Sequence, residues 1–425
     1  MTSATENRDD KIYALINYED EYVQPLLVAA LRKHFPPTRL HFISSWDELP
    51  SKSSRVIQWV QYESINFEHL LQHPSTSLAN SYIIRKALIR KHYLSTTVAN
   101  WIVKHPDSVL KRHVKPSVEF EVDYAEFLDD ALVEAWELRE SWERGVETGE
   151  KEWWILKPGM SERGQGIRLF SSEEELTEIF EGWDPESDDE EEEEEDARSD
   201  AATVPASKSL DRDDEDKGII TSQLRHFIAQ PYIHPPLLLR PSSAPDTEPL
   251  RKFHIRTYVL ATGALKIHIY RPMLALFAAD PYTPPSSSSS TDSLKAHLTN
   301  TCLQSTGDRE GSVSLFWSLP SELPTQPSYT PPFPSSNDPA SDWKPTIFSQ
   351  IRAITASLFE AAARGMSIHF QALPNAFEIF GLDFMVGVEG DGQLRTWLLE
   401  VNAFPDFRQT GEEYEATAYN AFKSY

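Results

Sequence analysis

Two apolar stretches near the end of the chain place the strongest limit on its fold. FEIFGLDFMVGV (Phe377 to Val388) and LRTWLLEVNAF (Leu394 to Phe404) are rich in strand-forming residues, and a turn-forming EGDGQ separates them. They predict a long antiparallel hairpin. Strand alternation gives this hairpin one apolar face, which we expect to be core. Its members are Phe380, Leu382, Phe384 and Val386 on the first strand and Trp397, Leu399 and Val401 on the second.

The other face of this hairpin is polar. A two-residue turn at the favoured Asp-Gly pair, 391–392, places Asp383 directly opposite Glu400, with Asn402 on the same face. Two opposed carboxylates repel each other unless water or a cation lies between them. The oxygens of Asp, Glu and Asn are hard ligands that suit magnesium. A solvated polar face on an edge hairpin explains the same residues, and the hairpin alone does not decide between the two.

The rest of the chain indicates a multi-domain α/β protein. Its 425 residues suffice for two or three domains. The chain opens with a strand at 11–18, a helix at 22–35 and a second strand at 55–60, a β-α-β order that favours an α/β domain. Further helices are predicted at 80–94, at 123–144 and from Pro345 to Gly365.

The net charge of −26 is concentrated in one segment. Residues 184–218 hold 17 Asp and Glu against four Lys and Arg, and we expect this acidic run to be a disordered insertion. Pro- and Ser-rich stretches at 281–292 and 320–343 predict two more. The acidic balance argues against sequence-independent nucleic-acid binding. A single cysteine, no signal pattern and no apolar run near 20 residues predict a soluble cytoplasmic protein without membrane contact.

A glycine-rich loop follows a predicted strand in WWILKPGMSERGQGIRLF (Trp153 to Phe170). Small glycines allow backbone amides to approach a phosphate, and Lys157 and Arg163 add positive charge. The stretch matches neither the P-loop nor the dinucleotide fingerprint. A lone lysine at a strand end is also commonly just solvated.

A basic stripe lies on the strand RKFHIRTYVL (Arg251 to Leu260). Lys252, His254, Arg256 and Tyr258 share one face, which suits contact with an anion. The alternative is an exposed sheet edge, where basic residues discourage aggregation. The apolar FIAQPYIHPPLLL (Phe227 to Leu239) is either a core strand or a hinge that presents backbone groups to an adenine ring.

Six blocks occur in the order ILKPGMSERGQGIRLF, FIAQPYI, KFHIR, HLTNTCLQ, GLDFMV and LLEVNAFPDF. In this set the chain resembles the tubulin-tyrosine ligase family of ATP-grasp ligases, especially its fungal branch. The resemblance implies an α+β fold of the ATP-grasp type, with two α+β lobes enclosing ATP behind a small N-terminal α/β domain. The implied division is a disordered 1–10, an α/β domain at 11–105, a central lobe at 106–260 and a C-terminal lobe at 261–425.

The resemblance also implies a site. ATP and Mg²⁺ are the expected cofactors, and Asp383, Glu400 and Asn402 are the expected metal ligands. Lys157 and Arg256 are the expected catalytic residues, with Arg271 and His254 contacting the substrate. The remaining residues expected to bind ATP are Arg163, Gly164, Gln165, Gly166, Gln230, Tyr232, Ile233, Lys252 and Asn300. Two positions depart from the family pattern: His254 replaces a common acidic residue, and Pro231 replaces a common lysine and removes a backbone donor.

The activity implied by this resemblance is ligation of an amino acid, tyrosine or another, to a protein carboxylate that ATP has activated as an acyl phosphate. The expected partners are a free amino acid and an acidic peptide such as the tubulin C-terminal tail, with no direct nucleic acid. Lys86, Arg90 and Lys91, with Arg85, form a basic helix that either docks such a tail or is simply solvated. The alternative function is an ATP-grasp scaffold of cytoplasmic RNA granules, so the expected location is the cytoplasm, on microtubules or in P-bodies.

Overall fold

The computed structural model describes residues 11–159, 166–183, 224–245, 247–286, 291–299, 312–326, 342–390 and 392–403. These residues form two compact units. The larger unit contains 11–115, 233–284 and the described residues from 291 onward, and the smaller unit contains the described residues of 116–232 together with 285–286. The sequence-based division into three domains stays a prediction.

The regular structure of the described residues is a mixture of strands and helices. The strands are β1 (Ile12–Asn17), β2 (Leu40–Ile43), β3 (Arg55–Val60), β4 (Ser77–Ala79), β5 (Val118–Glu121), β6 (Trp154–Pro158), β7 (Arg168–Phe170), β8 (His226–Pro231), β9 (Leu238–Leu239), β10 (Arg251–Thr262), β11 (Lys266–Ile269), β12 (Leu274–Phe277), β13 (Val313–Leu315), β14 (Phe377–Val388) and β15 (Leu394–Ala403). The helices are α1 (Val23–His34), α2 (Phe67–Gln72), α3 (Lys86–Ile89), α4 (Lys91–Lys104), α5 (Leu110–His113), α6 (Leu128–Ala131), α7 (Trp136–Thr148), α8 (Glu173–Glu181) and α9 (Trp343–Glu360). No helix among these residues is long and apolar enough to cross a bilayer.

The larger unit begins with the predicted β-α-β segment. Strands β1, β3 and α1 lie within a residue or two of their predicted ends, whereas β2 has no counterpart in the sequence analysis. The four strands form a parallel sheet in the order β2-β1-β3-β4. Asp20 fixes the start of α1 because its carboxylate accepts hydrogen bonds from the backbone N–H groups of Tyr22 and Val23. The predicted N-terminal α/β fold is therefore present.

A seven-stranded sheet forms the centre of the larger unit. Its main path is β13-β12-β10-β14-β15, and β9 and β11 also pair with β10. The long strands β10 and β14 run antiparallel from Ile255 opposite Phe384 to Thr262 opposite Phe377. One face packs against α4 and α9 in the largest apolar cluster of the described residues, where the predicted α9 stripe of Ile347, Ile351, Ile354 and Leu358 is buried.

Side-chain amides complete two strand edges of this unit. At the outer edge of β15, Gln350 of α9 accepts from the Thr396 N–H at 2.8 Å and donates to the Leu394 carbonyl at 3.1 Å. Gln326 pairs in the same way with the N–H and carbonyl of Leu238. Each amide supplies the donor and acceptor that a neighbouring strand would supply. Gln326 is buried and Leu323 packs against the main apolar cluster, within the stretch 320–343 for which the sequence predicts a disordered insertion.

The smaller unit is built on an antiparallel sheet in the order β5-β8-β6-β7. Aromatic residues dominate its core: the ring of Phe180 meets that of Phe227 edge-on at 4.9 Å, and Trp183 stacks on Phe227. α8 begins after Ser172, whose hydroxyl accepts from the Glu175 N–H, while the Glu175 carboxylate accepts from the Ser171 N–H just before this N-cap. Residues 184–218, the predicted acidic insertion, lie outside the described residues.

Two predicted helices are broken in the structure. The helix expected at 80–94 divides into α3 and α4 because Arg90 is extended. The helix expected at 123–144 becomes a 3-10 turn at Ala125–Phe127, then α6 and α7. The bends allow Leu128, Leu132 and Leu138 all to point into the core of the smaller unit. One continuous helix would turn part of this set toward water.

The break before α3 buries Arg85, so the prediction that this residue belongs to an exposed basic helix is wrong. Its Nε lies 2.8 Å from Oε1 of Glu378 on β14, and its guanidinium lies over the ring of Tyr62. The Tyr82 N–H donates to the other oxygen of Glu378. Burial raises the pKa of Glu378 to about 7, although Arg85 and the Tyr82 N–H act in the opposite direction. This ion pair therefore carries a carboxyl group that titrates near neutral pH.

We expect Glu378 to make stability fall as the pH rises from about 4.5 to about 7. In this range the folded protein retains the proton and the unfolded chain has lost it, so unfolding releases a proton and higher pH favours unfolding. The shift corresponds to about 3 kcal/mol. Urea unfolding between pH 4.5 and 8 should show the stability of the wild type falling by this amount relative to Glu378→Gln. Parallel profiles for the two proteins would contradict the assignment, and the exposed Glu360→Gln serves as the control that should remain parallel.

Candidate functional site

Strands β14 and β15 bring together the predicted pair of carboxylates. Asp383 lies opposite Glu400, and Gly381 lies opposite Asn402. The predicted pairing is therefore confirmed. Asp383 is buried, whereas Glu400 and Asn402 are partly exposed. This face of the hairpin consequently has a buried acid at its centre and an accessible rim.

The turn that leads to this pairing differs from the prediction. Glu389 donates its N–H to the Gln393 carbonyl, so the loop spans 390–392, three residues rather than two. Gly392 has φ of +85°, a left-handed conformation that favours glycine. The three-residue loop pairs Phe384 with Leu398, one residue away from the predicted register.

A bulge in β15 restores the register at the acidic pair. The pairing shifts between Asp383 and Phe384, which makes Leu399 the extra residue. Because side chains alternate between faces, a regular strand would place Leu399 opposite Asp383 and turn Glu400 into the core. The bulge and the odd-length loop therefore compensate each other, and together they keep Glu400 on the face of Asp383.

The same shift corrects part of the predicted core face. Trp397 lies opposite Met385 and packs with it and with Ile233, on the face that carries Asp383. Leu398, rather than Leu399, enters the main core. Lys115 lies over the Trp397 ring at 4.2 Å. The polar site is thus continuous with a small apolar patch on the same face.

Arg256 of β10 holds Asp383 in a buried ion pair. The two residues are opposite in the β10–β14 register, and two hydrogen bonds join them, Nε to Oδ1 at 2.5 Å and Nη2 to Oδ2 at 3.0 Å. Burial disfavours the charge of Arg256, but the charge of Asp383 and its hydrogen bond raise the pKa of Arg256 above the usual value. The bidentate contact fixes the orientation of both groups.

Asn402 and His254 complete the surroundings of Asp383. Nδ2 of Asn402 donates to Oδ2 of Asp383 at 3.1 Å and to Oε1 of Glu400 at 3.2 Å, so one amide bridges both carboxylates. Nε2 of His254 lies 3.6 Å from Oδ1 of Asp383, and its Nδ1 lies 2.6 Å from the Thr299 hydroxyl. Burial lowers the pKa of His254 despite the opposing charge of Asp383. His254 is therefore neutral near pH 7.

Strand β10 is central rather than exposed. It pairs with β12 on one side and β14 on the other, and Lys252, His254, Arg256 and Tyr258 are all buried. The interpretation of this stripe as an exposed sheet edge is wrong. A basic stripe that lies inside the protein must face a compensating charge, because an unpaired buried charge is strongly disfavoured.

The donor set around Asp383 fits a hard divalent cation. Asp383, Glu400 and Asn402 supply two carboxylates and one side-chain amide, and the oxygens of such groups are the ligand type that Mg²⁺ prefers. Within the described ranges, no three His, Cys, Asp or Glu side chains lie together in an arrangement that could hold a metal ion. In the structure, the Nδ2 amide group of Asn402 donates a hydrogen bond to each carboxylate, and its partial positive charge reduces the repulsion between them.

Two histidines that the sequence analysis overlooked lie near Lys252. Nδ1 of His234 lies 2.8 Å from the Tyr282 hydroxyl, and His297 packs edge-on against the Tyr282 ring. Burial lowers the pKa of His297 to about 4, and the charge of Lys252 contributes. Burial and Lys252 likewise lower the pKa of His234. His297 was visible in HLTN, but only the fold brings it to Lys252.

The smaller unit positions a second set of predicted residues. Nζ of Lys157 at the end of β6 lies 3.1 Å from Oε1 of Gln230 on β8, and Gln230 also donates to Ser117. Gly166 has φ of +73°, and a Cβ there would lie 2.7 Å from the Pro158 ring, so glycine is required. Arg163, Gly164 and Gln165 lie outside the described residues.

The remaining predicted residues differ in their surroundings. Pro231 pairs with Trp154, and the next residue, Tyr232, donates its N–H to Trp153, so the absent N–H of Pro231 falls on the side away from β6. Arg271 is exposed, with its guanidinium 4.7 Å from the centre of the Trp317 ring. Asn300 lies outside the described residues, next to Thr299.

We expect Asp383→Ala to cost about 3–5 kcal/mol of stability, because it leaves Arg256 buried without a counter-charge. Glu400→Ala, at a partly exposed position, should cost about 1 kcal/mol or less. Chemical denaturation measures both. The double variant Arg256→Met/Asp383→Leu should recover much of the loss. Equal losses in the two alanine variants would contradict the buried-pair description.

Comparisons with known proteins show the family of this chain. The model of the tubulin-tyrosine ligase family matches residues 87–425. A probable tubulin–tyrosine ligase of Schizosaccharomyces pombe is 41% identical over 419 residues, covering 98% of this chain and 90% of that protein. The probable tubulin–tyrosine ligase PBY1 of Saccharomyces cerevisiae is also 41% identical, over 92% of this chain but only 48% of its own length.

Among solved structures, the C-terminal domain of K. lactis Pby1 is similar, with a TM-score of 0.62 and 35% identity over 97% of this chain and 91% of that one. It is described as an ATP-grasp enzyme that interacts with the mRNA decapping enzyme Dcp2. The chain therefore has the ATP-grasp fold and belongs to the tubulin-tyrosine ligase family.

Proposed function

We propose that this protein is an ATP- and Mg²⁺-dependent ligase that joins an amino acid to a carboxylate of a protein. In the proposed reaction the acceptor carboxylate takes the γ-phosphoryl group of ATP and ADP leaves. The amine of the incoming amino acid then attacks the acyl carbon, phosphate leaves, and an amide is formed with loss of a proton. Tyrosine and other amino acids remain equal candidates for the amine.

The observation that carries this proposal is the group formed by Arg256, Asp383, Glu400 and Asn402. Phosphoryl transfer requires little covalent chemistry from the protein and is catalysed mainly by positioning and by neutralising charge. A fixed guanidinium beside two carboxylates and an amide provides such an arrangement. No nucleophilic side chain is required.

Each residue of this group has a proposed role. Asp383, Glu400 and Asn402 would hold Mg²⁺, which supplies positive charge to the phosphate oxygens when bound. Arg256, fixed by Asp383, would bind the transferring phosphoryl group or the acyl phosphate. Lys252, which is buried near two histidines of lowered pKa, would provide a further cation for ATP.

The remaining residues that the family resemblance implies would bind the rest of the nucleotide. Lys157, held at 3.1 Å by Gln230, would contact the α- and β-phosphates. Gly166 and the preceding 163–165 would cover the phosphates, and Asn300 would line the γ-phosphate region. Gln230, Tyr232 and Ile233 would contact the adenine.

An acidic peptide is the acceptor that the charge of the larger unit favours. Between Lys86 and Lys115 the chain has seven Lys and Arg and one Asp. Lys86 is exposed, and Arg90 and Lys91 are partly exposed. Such a surface attracts an acidic tail, and the relatives are named as tubulin–tyrosine ligases. Arg271 is the proposed additional contact, and His254 in place of a common acidic residue is expected to alter substrate recognition.

A second candidate function is binding to a partner protein without essential ligation. The K. lactis structure is described as interacting with the decapping enzyme Dcp2, which favours this candidate. In this case ATP would stabilise the fold or the complex. The two candidates differ in whether an amino acid is transferred.

Glu400→Gln should lower ATP-dependent ligation by about 100-fold or more, because it removes a charged ligand while retaining the shape of the side chain. The assay incubates the protein with ATP, Mg²⁺, each radiolabelled amino acid and tubulin, and measures label in protein together with ADP release. Glu389→Gln, at the tip of the same hairpin and paired with Arg395, is the matched control and should retain full activity.

The same assay separates the two candidate functions. If the wild type transfers label to protein and Glu400→Gln does not, the result supports the ligase function. Absence of both label transfer and ADP release with all amino acids, in a protein that still binds a partner, would refute it and favour partner binding.

The charge-reversal variant Lys86→Glu/Lys91→Glu should raise the KM for an acidic peptide by about tenfold and leave the affinity for ATP unchanged. The reason is that the introduced carboxylates repel the acidic peptide and so reduce both encounter and binding. The dependence of KM on ionic strength should also weaken. Lys266→Glu, an exposed position on β11, is the control. An unchanged KM would show that this basic surface is merely solvated.

A further inference from the structure

The smaller unit displays large apolar side chains on its surface, just where its chain departs from the predicted single helix. Tyr124, Phe127, Val133 and Trp136 are between 48% and 62% exposed. The rings of Tyr124 and Phe127 meet edge-on, with centroids 6.3 Å apart. Several exposed large apolar residues within 13 positions are typical of an interaction surface rather than of scattered exposed residues.

These side chains are not needed for the core of the unit. The same segment already supplies Leu128, Leu132, Ala135 and Leu138 to the buried cluster. The bends on either side of α6 turn these buried residues inward and leave the four exposed apolar residues on the outside. Core packing therefore does not explain why the four exposed apolar residues are present.

The surroundings of these residues are strongly acidic. From Glu119 to Glu147 the chain has eleven Asp and Glu and two Arg. Arg144 is paired with Glu140 and Glu152. Five acidic residues lie among or directly after the four exposed apolar residues in the sequence, and none of them makes an ion pair with another described residue. They are Glu126, Asp129, Asp130, Glu134 and Glu137. We call the four apolar and these five acidic residues the acidic-aromatic surface.

This composition determines the kind of partner. Repulsion excludes nucleic acid and the acidic acceptor peptide of the proposed ligase. Lysine and arginine side chains would neutralise the carboxylates, and they also stack favourably on Trp and Tyr rings. A large apolar side chain would cover the exposed rings, as at the centres of protein interfaces.

We propose that the acidic-aromatic surface is a docking site for a basic segment of a partner protein, in which Lys or Arg residues flank at least one large apolar anchor. This site is separate from the residues assigned to ATP, Mg²⁺ and the acceptor. Its occupation does not depend on ligase activity.

A displayed library of random 16-residue peptides, selected on the full chain, tests the proposal. Peptides that combine several Lys or Arg with an aromatic or aliphatic anchor should be enriched. Their Kd, measured by fluorescence anisotropy, should rise at least tenfold for Phe127→Ser/Trp136→Ser and for Asp129→Asn/Asp130→Asn. Ile368→Ser, a similarly exposed apolar residue of the larger unit, should leave the Kd unchanged.

Because the altered side chains are exposed, the variants should keep the melting temperature and the ATP affinity of the wild type, which separates this test from that of the ligase. Selected peptides that bind both double variants as tightly as the wild type would overturn the proposal. Failure to enrich basic peptides, with self-association that Phe127→Ser/Trp136→Ser abolishes, would assign the surface to a second copy of the chain and also overturn it.

Discussion

The buried ion pair between Arg256 and Asp383 is the interaction on which the site depends. It joins the two longest strands of the central sheet at directly opposed positions, and both partners are buried. Removing two charges from water is costly, and only close bidentate geometry with further hydrogen bonds offsets this cost. Asn402 provides such a bond, and His254 lies alongside. The requirement to keep Arg256 compensated therefore fixes Asp383, and Asp383 in turn fixes the surroundings of Glu400 and Asn402.

A local irregularity makes this arrangement possible. The three-residue loop after β14 sets a register in which Glu400 would point into apolar core, and the bulge at Leu399 reverses that outcome. Bulges concentrate next to functional sites because they redirect side chains without breaking a sheet. The outer edge of β15 near the loop is held by Gln350, whose amide binds the backbone on both sides of Arg395. The Gln350 contacts at the edge of β15, the bulge at Leu399 and the Arg256–Asp383 ion pair thus together orient the polar face of the hairpin.

The chain also separates its charges along the sequence. Residues 85–115 are strongly basic, and residues 119–147 are strongly acidic although they are folded. The net charge of the whole chain, −26, therefore does not predict which partners an individual surface attracts. The larger unit exposes cations on α3 and at the start of α4, whereas the smaller unit surrounds exposed aromatic rings with carboxylates. Electrostatic complementarity directs encounter more than it sets final affinity, so the two surfaces select partners of opposite charge.

The sequence by itself determined the β-α-β start, the apolar stripe of α9 and the long β14 strand, because these depend on periodicities of two and 3.6 residues within short segments. It did not determine the bulge at Leu399, the central position of β10, or the burial of Arg85 against Glu378. Each of these depends on contacts between residues far apart in the chain, whose free energy outweighs local preference. Turn rules alone gave the right carboxylate pair through a wrong loop length. The tertiary structure decided the outcome, because an apolar core on one face and a buried ion pair on the other admit only one register.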